Sequence, residues 1–279
     1  MPAPLFKDIN KPAKDLLTKD LFYSNKVEFH TTSDNGAQFV TNAEFKGDGA
    51  VSGSLKNTQK FKEHNAEVTA TLESSGSLKV DASVSDKLVD GLKVATSVKT
   101  GSNDFSISTD YKSDQFTLSD SFSRDKDGKN SVSASALYKR DAWCIGGEVE
   151  YDLSGGAVKK SGGAVSYDGG DFALTTIIKS MDSFVGSYSH KLNDDLTVAA
   201  QASFGSKPNN SLDLQFGAQY KLDKDTTVKA RLETSGKVAA TYTQQISDLT
   251  KLSISTAMQA DKLGATEGHA FGWQLTVKK

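Results

Sequence analysis

From about Val27 to Val277, apolar or small residues occupy every second position through roughly nineteen short segments. Successive side chains on a strand point to opposite faces, so each segment presents one apolar face and one polar face. Phe105, Ile107, Thr109 and Tyr111 share one face, while Ser106, Ser108 and Asp110 take the other. Leu196, Val198, Ala200, Ala202 and Phe204 repeat the pattern. So do Leu212, Leu214, Phe216, Ala218 and Tyr220, and Val228, Ala230 and Leu232 against Lys229 and Arg231. A two-sheet sandwich rarely needs so many strands, whereas a closed barrel with lipid outside and water inside needs this alternation throughout. The expected fold is therefore all-β, a membrane-spanning barrel.

Composition agrees with a barrel and narrows the alternatives. Only 37% of residues are apolar and the mean hydropathy is -0.44. No stretch approaches the roughly eighteen apolar residues of a spanning helix, which excludes helical membrane proteins but not barrels. Across 279 residues no linker or change of period divides the chain, so residues 1–25 read as a leader and 26–279 as one continuous barrel. Lys and Arg number 33 against 35 Asp and Glu, so no net bias points to a nucleic-acid partner. Cys144 is the only cysteine, which rules out an internal disulfide; parity with Trp143 and Ile145 turns it inward. His30, His64, His190 and His269 are scattered, and no HExxH, CxxC, Walker A loop or GxSxG elbow occurs. Neither an enzyme nor a cofactor is expected. The N-terminus lacks the charged start and apolar core of a secretory signal, which argues against a bacterial outer-membrane precursor.

Turn chemistry punctuates the stripes. Ser33-Asp34-Asn35-Gly36, Asp125-Lys126-Asp127-Gly128, Asp168-Gly169-Gly170 and Lys207-Pro208-Asn209-Asn210 lie between them, and no proline interrupts a stripe: Pro2, Pro4 and Pro12 precede the first, and Pro208 falls in a turn. Before the stripes, Leu5, Phe6, Ile9, Ala13, Leu16 and Leu17 fall near helical spacing, with Lys7, Asp8, Lys11, Lys14, Asp15 and Lys19 on other faces. A short amphipathic helix follows, kinked or split at Pro12. It either lies on the membrane surface or packs its apolar stripe on the inner wall with its charges toward the lumen.

Four pieces of the chain resemble the mitochondrial voltage-dependent anion channels, the eukaryotic porins. They are the leader Lys7 to Asp20; Gly91-Leu92-Lys93; Tyr220 to Leu232 continuing to Ala239, Ala240 and Tyr242; and Gly272-Trp273-Gln274-Leu275-Thr276-Val277. The resemblance implies a barrel of nineteen strands, the first and last parallel, with the N-terminal helix in the lumen. It implies a voltage-gated, weakly anion-selective pore for ATP, ADP, phosphate and other small ions in the mitochondrial outer membrane. It further implies a nucleotide contact at Gly91, Leu92 and Lys93, and an insertion signal at Gly272, Leu275 and Val277. Membrane lipids, permeant nucleotides and anions, a homo-oligomer and cytosolic docking proteins at the rim are the partners it suggests. The plant-like run Thr226 to Arg231 also admits a plastid outer envelope.

Departures from the family pattern bear on mechanism. Lys224, Glu233, Thr234 and Ala270 depart from its motifs, and the linker Asp20 to Asn25 has no glycine, so hinge-like helix motion is not expected. Ala70 stands where some relatives carry a membrane-facing glutamate. Conversely, Asp120 shares parity with Phe116, Leu118 and Phe122. A lipid-facing charge costs about 2–4 kcal/mol in the harsher cases, so a bulge turning Asp120 inward is the expected solution. Asp8, Lys11, Lys14, Asp15, Lys19, Lys93, Lys179, Lys229 and Arg231 are the candidate pore and selectivity residues. Two alternatives are a protein-import barrel of the same fold, which calls for a longer leader, and a soluble β-rich binding protein.

Overall fold

The computed structural model describes residues 2–279 except 47–48, 103, 181–182, 206–210 and 263–267. The turn expected at Lys207 to Asn210, with Pro208, lies outside the described residues. Nineteen strands follow the leader: β1 Asn25–Thr32, β2 Gln38–Phe45, β3 Val51–Phe61, β4 Ala66–Glu73, β5 Leu78–Ser85, β6 Leu92–Lys99, β7 Asp104–Lys112, β8 Phe116–Arg124, β9 Asn130–Arg140 and β10 Trp143–Asp152. The rest are β11 Ala157–Asp168, β12 Phe172–Ser180, β13 Ser183–Lys191, β14 Leu196–Phe204, β15 Asp213–Lys221, β16 Thr226–Glu233, β17 Lys237–Ser247, β18 Thr250–Gln259 and β19 Ala270–Lys278.

Each strand pairs antiparallel with its sequence neighbours, and the sheet closes where β1 meets β19 in parallel, from Lys26 opposite Gln274 to His30 opposite Lys278. An odd number of strands cannot alternate direction all the way round, so one parallel seam is a geometric necessity. Closure leaves no unpaired edge, which a strand in lipid requires. The alternation places faces as parity demands. Trp143 and Ile145 are 57% and 59% exposed on the outside of β10, while Cys144 between them is buried toward the inside.

Asp120 corrects an expectation. Its strand keeps unbroken register on both sides, opposite Thr109 of β7 and Ala134 of β9. Register shifts do occur, but elsewhere: between Glu150 and Tyr151, Ile178 and Ser180, and Gln245 and Ser247. Turning Asp120 inward would disrupt two ladders at once, and the strand retains both sets of backbone hydrogen bonds instead. Asp120 therefore stays exposed on the outer face.

The leader divides at its proline. A 3-10 turn, Phe6–Asp8, precedes helix α1, Lys11–Thr18, and Pro12 sits in the helix's first turn, where a missing backbone donor costs nothing.

Candidate functional site

The leader lies against the inner wall, not on the outer surface. Ala3, Phe6 and Ile9 rest on Leu137, Cys144 and Ala164 of β9, β10 and β11, with Ile177 of β12 alongside. Ala13, Leu16 and Leu17 of α1 rest on Ala199 of β14, and Leu17 is fully buried. Polar groups fix the register between these two apolar pads. The Thr117 hydroxyl donates to the Pro4 carbonyl at 2.8 Å, and the Ser187 hydroxyl donates to the Asn10 side chain. The leader thus runs around the wall from β7, where Lys7 meets Asp110, to β17, where Thr241 meets Asp20, and among the described residues it leaves β2 to β6 bare to the lumen.

Its far end is clamped by two wall cations. The last carbonyls of a helix have no partner of their own and carry the negative end of its dipole. Lys229 of β16, only 5% exposed, donates to the Asp15 carbonyl at 3.0 Å and to the Lys19 carbonyl at 2.7 Å, with the Asp20 carboxylate 3.9 Å away. Arg231, two residues on, donates to the Leu17 carbonyl at 2.7 Å and pairs with Glu233 at 2.7 Å. Thr241 of β17 donates to the Asp20 carbonyl at 2.8 Å. Asp20 itself takes a positive φ of 62°, the left-handed stop usually given to glycine after a helix.

This clamp separates the candidate pore residues into groups. Lys11, Lys14 and Lys19 are exposed on the side of the leader away from the wall, with Asp8 and Asp15 half-buried beside them. Lys229 and Arg231, both candidate pore residues, face inward as parity requires, but Lys229 is held by two leader carbonyls and Arg231 by the Leu17 carbonyl and Glu233, so neither stands free in the lumen. Lys179 is the unpaired residue at the β12 register break and is exposed. Lys93 points inward on β6, directly opposite Asp110 of β7. Asp110 in turn accepts from Ser119 at 2.6 Å and meets Lys7 of the leader at 3.4 Å, so the acid is tied to the leader while Lys93 is exposed beside it.

Gly91 and Leu92 have backbone and lipid reasons to be where they are. Gly91 has φ +83°, and a Cβ there would lie 2.0 Å from the Lys112 carbonyl oxygen. Leu92 belongs to the outward stripe opposite Tyr111. Of the three residues, only Lys93 offers a charge to the lumen. At the other end, Leu275 and Val277 face outward, while a Cβ on Gly272 would strike the Ser24 backbone at 2.6 Å as the linker crosses β19.

Gly217 of β15 and Ala199 carry the helix without having been singled out from sequence. A Cβ on Gly217 would lie 2.7 Å from Leu16 and 2.8 Å from Leu17. The available signal was a break in the inward stripe: Leu137, Ala164, Ile177, Val185, Ala199 and Gly217 are apolar where a watery lumen calls for polar side chains.

The eukaryotic porin family model matches residues 2–272. Over 281 residues the chain is 27% identical to the "Non-selective voltage-gated ion channel VDAC2" of Xenopus laevis, covering 99% of each chain. It is 26% identical over 284 residues to the "Voltage-dependent anion-selective channel" of Drosophila melanogaster, covering both chains fully.

Proposed function

The chain belongs to the eukaryotic porin family, and from that premise we propose a voltage-gated, weakly anion-selective pore that passes ATP, ADP, phosphate and other small ions across the mitochondrial outer membrane. That family is one of channels and not of enzymes. The relatives' names, a voltage-gated ion channel and a voltage-dependent anion-selective channel, support the reading over essentially the full length.

The observation that carries the selectivity is the orientation of the leader. Its apolar residues are spent on the wall, leaving Lys7, Lys11, Lys14 and Lys19 exposed. A nineteen-stranded barrel tilted about 40° with strands about 4.8 Å apart leaves a lumen on the order of 25 Å, which a helix roughly 10 Å across narrows without closing. Charges in so wide a pore are screened over about 8 Å at physiological salt, so the exposed cations act together and the preference is weak. Lys93, on the bare side of the wall, adds a phosphate contact for a passing nucleotide.

Planar-bilayer recording of the purified chain in a salt gradient tests this directly. The expected result is a large conductance at low voltage, a reversal potential on the anion side and partial closure at either high polarity. A barrel that inserts but shows cation preference, or no voltage-dependent closure, would defeat the proposal.

A further inference from the structure

Among the described residues, Asp120 is the only carboxylate at mid-strand on the outer stripe. It is exposed, and no hydrogen bond or ion pair among the described residues engages it. Its cross-strand neighbours Thr109 and Ala134 are small, as are Ala136 and Gly147 on the next two strands, while Leu118 and Phe122 flank it along β8. Ionisable side chains at bilayer depth almost always pair with another polar group.

The geometry points to β7, β8 and β9 as the seat of a membrane-spanning helix that carries a basic residue at mid-bilayer depth, with Asp120 as its counter-charge. The inference rests on the barrel being embedded in a membrane. Small residues let a helix backbone approach closely, and an intramembrane base gains as much from the pairing as Asp120 does. A second copy of the barrel does not fit as well. A two-fold contact centred here sets Asp120 against Asp120, and no basic side chain stands at mid-strand on the outer stripe among the described residues to receive it in any other arrangement.

The test reconstitutes the full chain in vesicles with a synthetic single-span Leu-Ala helix bearing a nitroxide quencher and either Lys or Leu at its centre. Trp143, two strands from Asp120, reports proximity, and Trp273 on β19 serves as the remote control. The Lys helix is expected to quench Trp143 at about five- to tenfold lower concentration than the Leu helix, with no such difference at Trp273. Asp120→Asn should erase the difference and Asp120→Glu should keep it, which separates charge from folding. Equal quenching by the two helices, or a Lys preference that survives Asp120→Asn, overturns the proposal. Self-association of the barrel that depends on Asp120 and displaces neither helix selectively would assign the seat to a second copy and also overturn it. Failure of brominated lipid to quench Trp143 would instead refute membrane embedding itself.

Discussion

Side chains of one type do different work depending on what lies across the lumen from them. Lys14 and Lys229 both face inward, yet Lys14 is exposed while Lys229 is spent on two helix carbonyls. Lys229→Met keeps the bulk and removes the donors, so the helix end should lose about 2 kcal/mol of attachment. A spin label on α1 should then become mobile, while the reversal potential moves less than it does for Lys14→Met. If Lys229→Met shifts selectivity as strongly as Lys14→Met and leaves the label immobile, the clamp is wrong. Gly217 invites the complementary change. Gly217→Val would drive a side chain into Leu16 and Leu17, at a cost of roughly 1–3 kcal/mol to helix docking. The same label should report release, with strand content by circular dichroism unchanged.

At the scale of the element, α1 has eight residues, below the roughly 12–15 at which an isolated helix becomes even marginal in water. It exists because the wall accepts its leucines and caps its end. Deleting residues through Lys19 should therefore raise single-channel conductance, weaken anion preference and blunt voltage-dependent closure. The barrel should still assemble, because the ladder between strands does not include the leader. Unchanged conductance after this deletion would mean the leader does not narrow the pore. The linker adds a finer test. Asp20 occupies a left-handed position without being glycine and its carboxylate lies 3.9 Å from Lys229, so Asp20→Gly removes strain and that ion pair together and adds backbone freedom, while the Thr241 bond to the residue 20 carbonyl is kept. Closure in recordings should become easier, at lower voltage; closure that needs higher voltage would show the joint is not a restraint.

For the whole molecule, inside and outside follow from parity. In a Cys144→Ser background, cysteines at Phe105, Ile107, Leu214 and Phe216 should be shielded from water-soluble thiol reagents, whereas those at Ser106, Ser108, Asp213 and Gln215 should react. Reversing Lys11, Lys14 and Lys93 together to Glu should carry the reversal potential toward cations, each single change going part of the way. A triple variant that keeps its anion preference would place the pore field elsewhere. Sequence by itself determined the inward and outward stripes apart from Asp120, where Gly36, Gly128 and Gly170 turn the chain, and that Pro12 splits the leader, because period-two alternation and local backbone sterics are properties of short segments. It did not determine position around the circumference. Residues of equal parity share the lumen but stand on different arcs of it, and only closure of the barrel decides that Lys229, Arg231 and Gly217 meet the leader while Lys93 meets open water. The same holds for Asp120: its cost in lipid was legible from one strand, but the unbroken ladders on β7 and β9 that hold it outward are long-range contacts, set by the neighbours and not by the segment.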